Sequence, residues 1–181
     1  MSIFKVASRY AKSLIDLSTE HGNLDEVKSD MDGVLNVLKG STELQAVLKN
    51  PIIKMDRKQA VLASIFNGKV RPEVIAFFNI MVSKGRANLI FGTAQEFVRE
   101  YNEVKGIVKA EVTSAVPLSD ENREALTRQI AQQLDATVIL SNKVDDNLIG
   151  GFIVKVGDRQ LDASILGKLR KLERHFELQG V

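Results

Sequence analysis

Apolar positions in the first hundred or so residues recur at steps of three and four, and those beyond them alternate. The first pattern is that of amphipathic helices and the second that of half-buried strands. Ile3, Ala7, Tyr10, Leu14 and Leu17 lie along one helical face; Ala11 and Ile15 widen the apolar band, and Ser13 is small enough to let another helix approach. Asn23 and Glu26 have the spacing of a capping pair, after which Leu24, Val27, Met31, Val34 and Leu38 continue a second helix. A third fits Thr42–Lys49, with Leu44, Val47 and Leu48 inward. Asn50-Pro51 ends it, because the residue before a proline is pushed out of the helical region. Asp56 and Gln59 repeat the capping spacing and open a fourth helix that buries Val61, Leu62, Ile65 and Phe66 and stops at Gly68. Pro72 starts a fifth at a first-turn position, and Gly85 closes it. A sixth carries Ile90, Ala94, Phe97, Tyr101 and Val104 on one face.

The period changes near Lys105 and Gly106. Val108, Ala110, Val112 and Val116 then point one way, with Lys109, Glu111 and Thr113 opposite, as in a strand with one wet face. Pro117 breaks that strand. Ser119 caps a helix through Leu134 that carries Asp120 and Glu121 on its first turn, where the helix dipole favours them. Strands fit 137–144 and 149–156, and Gly157-Asp158 supplies a tight turn. Ser164 caps a last helix with Ile165, Leu169, Leu172 and Phe176 inward. The predicted fold is mainly α with a smaller α/β part: an N-terminal six-helix bundle over residues 1–105, then a small C-terminal α/β domain over 106–181.

Composition narrows the chemistry. Among 181 residues, 44% hydrophobic and 27% charged are the proportions of an ordinary soluble globular protein, long enough to bury a core without staples. The absence of cysteine excludes disulfides, thiolate zinc sites, iron–sulfur clusters and a cysteine nucleophile. The two histidines, His21 and His175, stand in no metal-binding spacing. A net charge of +2 argues against nucleic acid as a partner. Residues 1–105 carry 15 basic and 12 acidic side chains, and the rest carry 10 and 11, so the two parts differ in character. No apolar run approaches 18 residues, and the N-terminus lacks a signal-peptide pattern, which leads to the expectation of a soluble protein in a reducing compartment.

Catalytic motifs are missing. Gly167-Lys168 lies inside a helix without the glycine loop a phosphate site needs, and neither G-x-G-x-x-G nor G-x-S-x-G occurs. Asp145-Asp146 reads as a solvated turn, since no third oxygen ligand follows at calcium-loop spacing. Lys168, Arg170, Lys171 and Arg174 form a basic run without interleaved aromatics, a wet helix face. No catalytic residue, metal site or cofactor is expected, and the chain reads as a binding or structural protein. One feature stands out. From Val74 to Val82 eight of nine residues are apolar, Asn79 being the exception. Such a helix is either a central core helix or, together with helix one, leaves an apolar groove for a partner helix.

Three stretches resemble a known family. Val6-Ala7-Ser8-Arg9-Tyr10-Ala11-Lys12-Ser13-Leu14 is similar to the opening of F-type ATP synthase delta subunits, the bacterial counterparts of the mitochondrial oligomycin-sensitivity-conferring protein. Gly85-Arg86 resembles that family's element after the fifth helix, and KVDDNLIGGFIVKVGDRQLDASILGKLRKL, from Lys143 to Leu172, resembles its C-terminal signature. Ser13 and Lys84 depart from the usual alanine and asparagine. The resemblance implies a six-helix bundle at the crown of the catalytic head, whose first and fifth helices receive the N-terminal helix of an alpha subunit. Carried over by position, that groove is Tyr10, Ser13, Leu14 and Leu17 with Ala76, Phe77 and Ile80. It also implies that the C-terminal domain engages the b subunits of the peripheral stalk, here through Gly150, Gly151, Lys168, Leu169 and Leu172. The implied role is that of a non-catalytic stator connector, one copy per complex, coupling rotation to ATP synthesis. It would bind no nucleic acid and be held to the membrane only by its partners. With no leader in the sequence, the expected location is the cytoplasmic face of a bacterial plasma membrane. Residues alone also allow a helical adaptor, unrelated to ATP synthase, whose groove takes another amphipathic helix.

Overall fold

The computed structural model describes residues 3–179, with side-chain surroundings from residue 4 to 176. Two compact units divide the chain, Met1–Asn102 and Glu103–Val181. The first contains α1 (Ile3–Glu20), α2 (Leu24–Gly40), α3 (Thr42–Lys49), α4 (Met55–Phe66), α5 (Pro72–Ser83) and all but the last two residues of α6 (Ile90–Val104), with a 3₁₀ turn at Ala87–Leu89. Its core is built around Leu14, Met31, Leu38, Phe66, Phe78, Met81 and Phe97, all fully enclosed. Tyr101 ties α6 to α2. Its hydroxyl donates to Asp25 at 2.7 Å, and Lys28 lies 5.8 Å above its ring.

The buried stripe of α1 is Ala7, Ala11, Leu14, Ile15 and Ser18, which keeps Ala7 and Leu14 of the expected face and shifts it toward the side widened by Ala11 and Ile15. Ala11 and Ile15 are core, whereas Leu17 is exposed and Tyr10 half-buried. α6 meets this stripe at Gly92, where a Cβ would stand 3.7 Å from the Ala7 Cβ, an ordinary packing distance.

Neither expected capping pair forms. The Asn23 amide donates to Glu73 at 2.9 Å, and it is the Asn23 carbonyl that receives the first helical N–H groups of α2, from Glu26 and Val27. Gln59 points its amide at Ser83 Oγ (3.2 Å), joining α4 to α5, and α4 begins at Lys54 without a side-chain cap. In both places a polar side chain that could cap its own helix instead bridges two elements. Ser41 does cap α3, accepting from the Leu44 N–H. At the end of α5, Gly85 has φ +71°, its N–H reaches the Val82 carbonyl and that of Arg86 reaches Met81, which makes a Schellman turn. Val104, the last residue of α6, is exposed because the helix ends there.

The second unit contains β1 (Ile107–Ser114), α7 (Asp120–Leu134), β2 (Thr137–Val144), β3 (Phe152–Val156), β4 (Arg159–Asp162) and α8 (Ile165–Gln179). The sheet order is β2-β1-β3-β4. β1 and β2 are parallel and joined through α7, with Ile107 opposite Thr137. β3 runs antiparallel to β1, Val112 facing Val154, and forms a hairpin with β4 across Gly157-Asp158. Ala110, Val112, Ile130, Val138 and Val154 make the core, flanked by Leu118, Leu126 and Phe152. Ser119 caps α7 by accepting from the Asn122 N–H.

Four expectations change here. β3 begins at Phe152 and not at 149, because Gly150 and Gly151 belong to the preceding loop. β4 carries no apolar alternation, since all four of its residues are exposed, so the pattern did not reveal it. Val116 lies beyond the end of β1 and is exposed. Ile165, Leu169, Leu172 and Phe176 on α8 do not point into a core; they are 46%, 51%, 52% and 59% exposed. The core of the unit is closed by α7 and Leu118, so the stripe of α8 stays in water.

Candidate partner-binding surfaces

In the first unit α5 is apolar on both sides, and only one side is used by the core. Val74, Phe78, Met81 and Val82 are buried, while Ala76 and Ile80 are exposed and Phe77 half-buried. Polar contacts tie the exposed side to α1 at both ends. Glu73 receives the Asn23 amide and lies 3.3 Å from His21 Nδ1, at the close of α1. Arg86, just past α5, donates to the Tyr10 hydroxyl at 2.7 Å with its guanidinium 5.5 Å from the ring centroid. The two helices therefore run side by side in opposite directions. Between these ties the Tyr10 ring meets Phe77 edge-on, 6.0 Å apart at 73°.

The structure thus joins Tyr10 to Phe77 and leaves Leu17, Ala76 and Ile80 open beside them. Ser13 is exposed, its hydroxyl bonded to the Arg9 carbonyl at 2.9 Å. Leu14 is different. At 1% exposure it lies beneath this surface and supports it. A hollow of about 210 Å³ is lined by Val6, Arg9, Tyr10, Ser13 and Arg86, and another of about 600 Å³ includes Asp30, Arg71, Ile75, Ala76 and Asn79. The Glu73 carboxyl is held below its ordinary value of 4.5, chiefly by the Asn23 amide and further by His21 and Arg71, so the tie between the helices is anionic at neutral pH. Arg86 was absent from the expected set. Its signal, a Gly-Arg pair directly after an apolar helix, is present in the chain, but only the structure shows that the guanidinium folds back onto Tyr10. The arrangement is a shallow apolar surface rimmed by a phenol and a cation, which suits an amphipathic helix.

In the second unit Lys168, Leu169 and Leu172 stand on α8, and Gly150 and Gly151 lie in the loop against its start. Ile165, Leu169, Leu172 and Phe176 recur at steps of four, three and four, the spacing of a coiled-coil seam. Lys168 borders that seam, while Arg170, Lys171 and Arg174 fall on the other face of the helix. A separate apolar hollow of about 270 Å³ lies between α7 and the β3–β4 hairpin, with Leu126, Ile130, Phe152, Val154 and Leu161 in its wall. Among the described residues no cluster of three or more His, Asp or Glu could hold a metal ion.

Comparison with known proteins gives a consistent result. The family described as ATP synthase delta (OSCP) subunit matches residues 6–176. The chain is 40% identical over 177 residues to ATP synthase subunit delta of Cytophaga hutchinsonii, covering 98% of this chain and 97% of the relative. It is 39% identical to the same subunit of Gloeobacter violaceus, covering 96% and 95%. In the cryo-EM structure of the Toxoplasma gondii mitochondrial ATP synthase hexamer, a chain 21% identical shares the fold with a TM-score of 0.71, over 93% of this chain and 96% of that one.

Proposed function

The chain belongs to the ATP synthase delta (OSCP) subunit family, and from that premise we propose how each of its units is joined to a partner. It is a peripheral-stalk subunit of an F-type ATP synthase, a peripheral part of a membrane-bound complex. Among its described residues no helix is long and apolar enough to cross a membrane. In our reading the α1/α5 surface, within residues 1–105, receives the N-terminal helix of an alpha subunit, and α8, within 106–181, takes the b subunits.

The observation that carries the first assignment is the uncovered side of α5. Ile80 is 54% exposed and Leu17 38%, next to the half-buried Tyr10–Phe77 pair. An apolar helix face laid over them removes that surface from water, and Tyr10 is a rigid aromatic anchor whose hydroxyl is already oriented by Arg86. For α8 the support is the exposed apolar seam, which fits a helix of matching spacing. The function is mechanical. Torque from the rotor pulls on the catalytic head, and a tether in that path must release slowly; nanomolar binding corresponds to about −12 kcal/mol. Two attachment points place the chain in series between head and stalk, with no chemical step of its own, at the cytoplasmic face of the membrane.

The test is a calorimetric titration of a synthetic alpha N-terminal peptide into the full chain. Tyr10→Asp and Ile80→Asp are expected to melt as cooperatively as the parent and to lose about 2 kcal/mol or more of binding, roughly thirtyfold. Unchanged affinity in both removes the groove assignment.

A further inference from the structure

Two residues, Ala163 and Ser164, separate the end of β4 from the start of α8. The apolar stripe of α8 lies in water, so packing along that stripe does not set the helix's direction. The junction does. Asp162 Oδ1 accepts from the Ser164 N–H at 2.9 Å and from its hydroxyl at 2.6 Å, and Ser164 Oγ in turn accepts from the Gly167 N–H at 2.9 Å. Ser164 is 2% exposed. The Ala163 N–H reaches the Phe152 carbonyl and the Ile165 N–H reaches that of Gly150, each at 3.0 Å, so the first residues of the helix are stitched to β3 and to the loop before it.

Three glycines make this approach possible, and they are not equivalent. A Cβ on Gly151, whose φ is +80°, would stand 2.6 Å from the Ala163 carbonyl oxygen and 2.9 Å from Ser164 Cα, both backbone atoms that cannot yield cheaply. On Gly167 it would meet the Asp162 carboxylate at 2.5 Å, and that carboxylate cannot move without breaking the cap. On Gly150 it would touch only the tip of Ile165, which can rotate away. The Asp162 carboxyl is held below its ordinary value of 3.8 by these Ser164 hydrogen bonds, so it remains an acceptor at neutral pH.

We propose that Gly151, Asp162, Ser164 and Gly167 form a positioning device that fixes the direction in which α8 leaves the sheet, presenting its bare stripe to the stalk in one orientation. This rests on the reading of α8 as the stalk-binding helix. Gly151 then acts through α8 without touching the partner, and the Gly-Gly and Asp-x-Ser elements of the sequence are two halves of one joint.

The experiment uses the full chain, which has no cysteine of its own, with spin labels at Lys109→Cys on β1 and Glu173→Cys on α8. Pulsed EPR reads the distance between them, and titration with a soluble C-terminal fragment of the b subunit reads affinity. The parent should give one narrow distance. Gly151→Ala and Ser164→Ala should broaden it and weaken the fragment tenfold or more, whereas Ser164→Thr, which keeps the hydroxyl, should preserve both. Where Gly151→Ala fails to fold by circular dichroism, Asp162→Asn gives the milder perturbation and should broaden the distance in the same sense. A narrow parent-like distance in folded Ser164→Ala and Asp162→Asn overturns the proposal. Leu172→Asp separates the two claims: it should keep the narrow distance and lose the fragment. Parent-like binding by Leu172→Asp sinks the docking reading of α8, and the distance measurement still decides the joint.

Discussion

Leu14 and Ile80 were both assigned to one surface by resemblance, yet they sit at opposite depths, 1% and 54% exposed. Replacing each by alanine therefore has opposite consequences. Leu14→Ala empties a fully enclosed site between α1 and its neighbours, and such truncations cost about 2–5 kcal/mol of folding stability. In a unit of about a hundred residues each kcal/mol moves the melting temperature by about 4–8 °C, so a fall of at least about 8 °C is expected. Ile80→Ala gives up much less, because half of the side chain is already in water. Burying a whole isoleucine is worth about 1.5–3 kcal/mol, which leaves about 1 kcal/mol to be gained when a partner covers the exposed half. That is about a fivefold change in Kd. Thermal unfolding by circular dichroism and calorimetric titration with the alpha N-terminal peptide, run on both variants well below their transitions, read the two effects separately. The reasoning fails if Leu14→Ala melts like the parent and weakens the peptide, or if Ile80→Ala melts as low as Leu14→Ala and binds normally.

Two pH-dependent predictions follow from the polar ties. The hydrogen bond to Asp25, with burial, pushes the Tyr101 pKa up from 10.0 to about 12. A raised value favours the neutral phenol in the folded state, so its contribution is complete below pH 10 and is lost as pH rises through about 12. Tyr101→Phe should cost about 1 kcal/mol at neutral pH and flatten that alkaline decline, read by urea unfolding, while ultraviolet titration of the parent locates the phenolate. The Glu73 carboxyl is depressed, so its contribution is present above 4.5 and disappears as pH falls through the lowered value. Glu73→Gln should be less stable than the parent at pH 7, with the two converging in acid; a constant gap across that range would show that the Asn23 and His21 contacts do not depend on the charge.

The elements most legible in the chain were those ended by residues with one local use. Asn50-Pro51, Pro72, Gly85 and Ser119 each mark a boundary that α3, α5 and α7 respect, because backbone sterics and a capping hydroxyl act within a few residues. Legibility failed where a side chain had a distant alternative. Asn23 and Gln59 have the spacing of caps, but Glu73 and Ser83, more than twenty residues away, take their amides. On α1 two overlapping apolar stripes compete, and which one is core depends on the side from which the other helices pack, a fact about the rest of the bundle. The stripe of α8 has the periodicity of a buried face in a unit whose core is already closed by α7. Periodicity reports that a face seeks cover; it does not say whether the cover comes from the same chain. The same ambiguity hid the depth of Leu14, which shares its face with the exposed Leu17.

The central claim is that the open side of α5 with α1 is the seat of another chain's helix, and residue-resolved NMR of the isotope-labelled full chain during titration with the unlabelled alpha N-terminal peptide tests it most directly. The account predicts saturable shifts concentrated at Tyr10, Leu17, Ala76, Phe77, Ile80 and Arg86, with the enclosed Phe97 unmoved. Saturable shifts that fall on another face of the bundle, or no shifts at peptide concentrations far above micromolar, would contradict it.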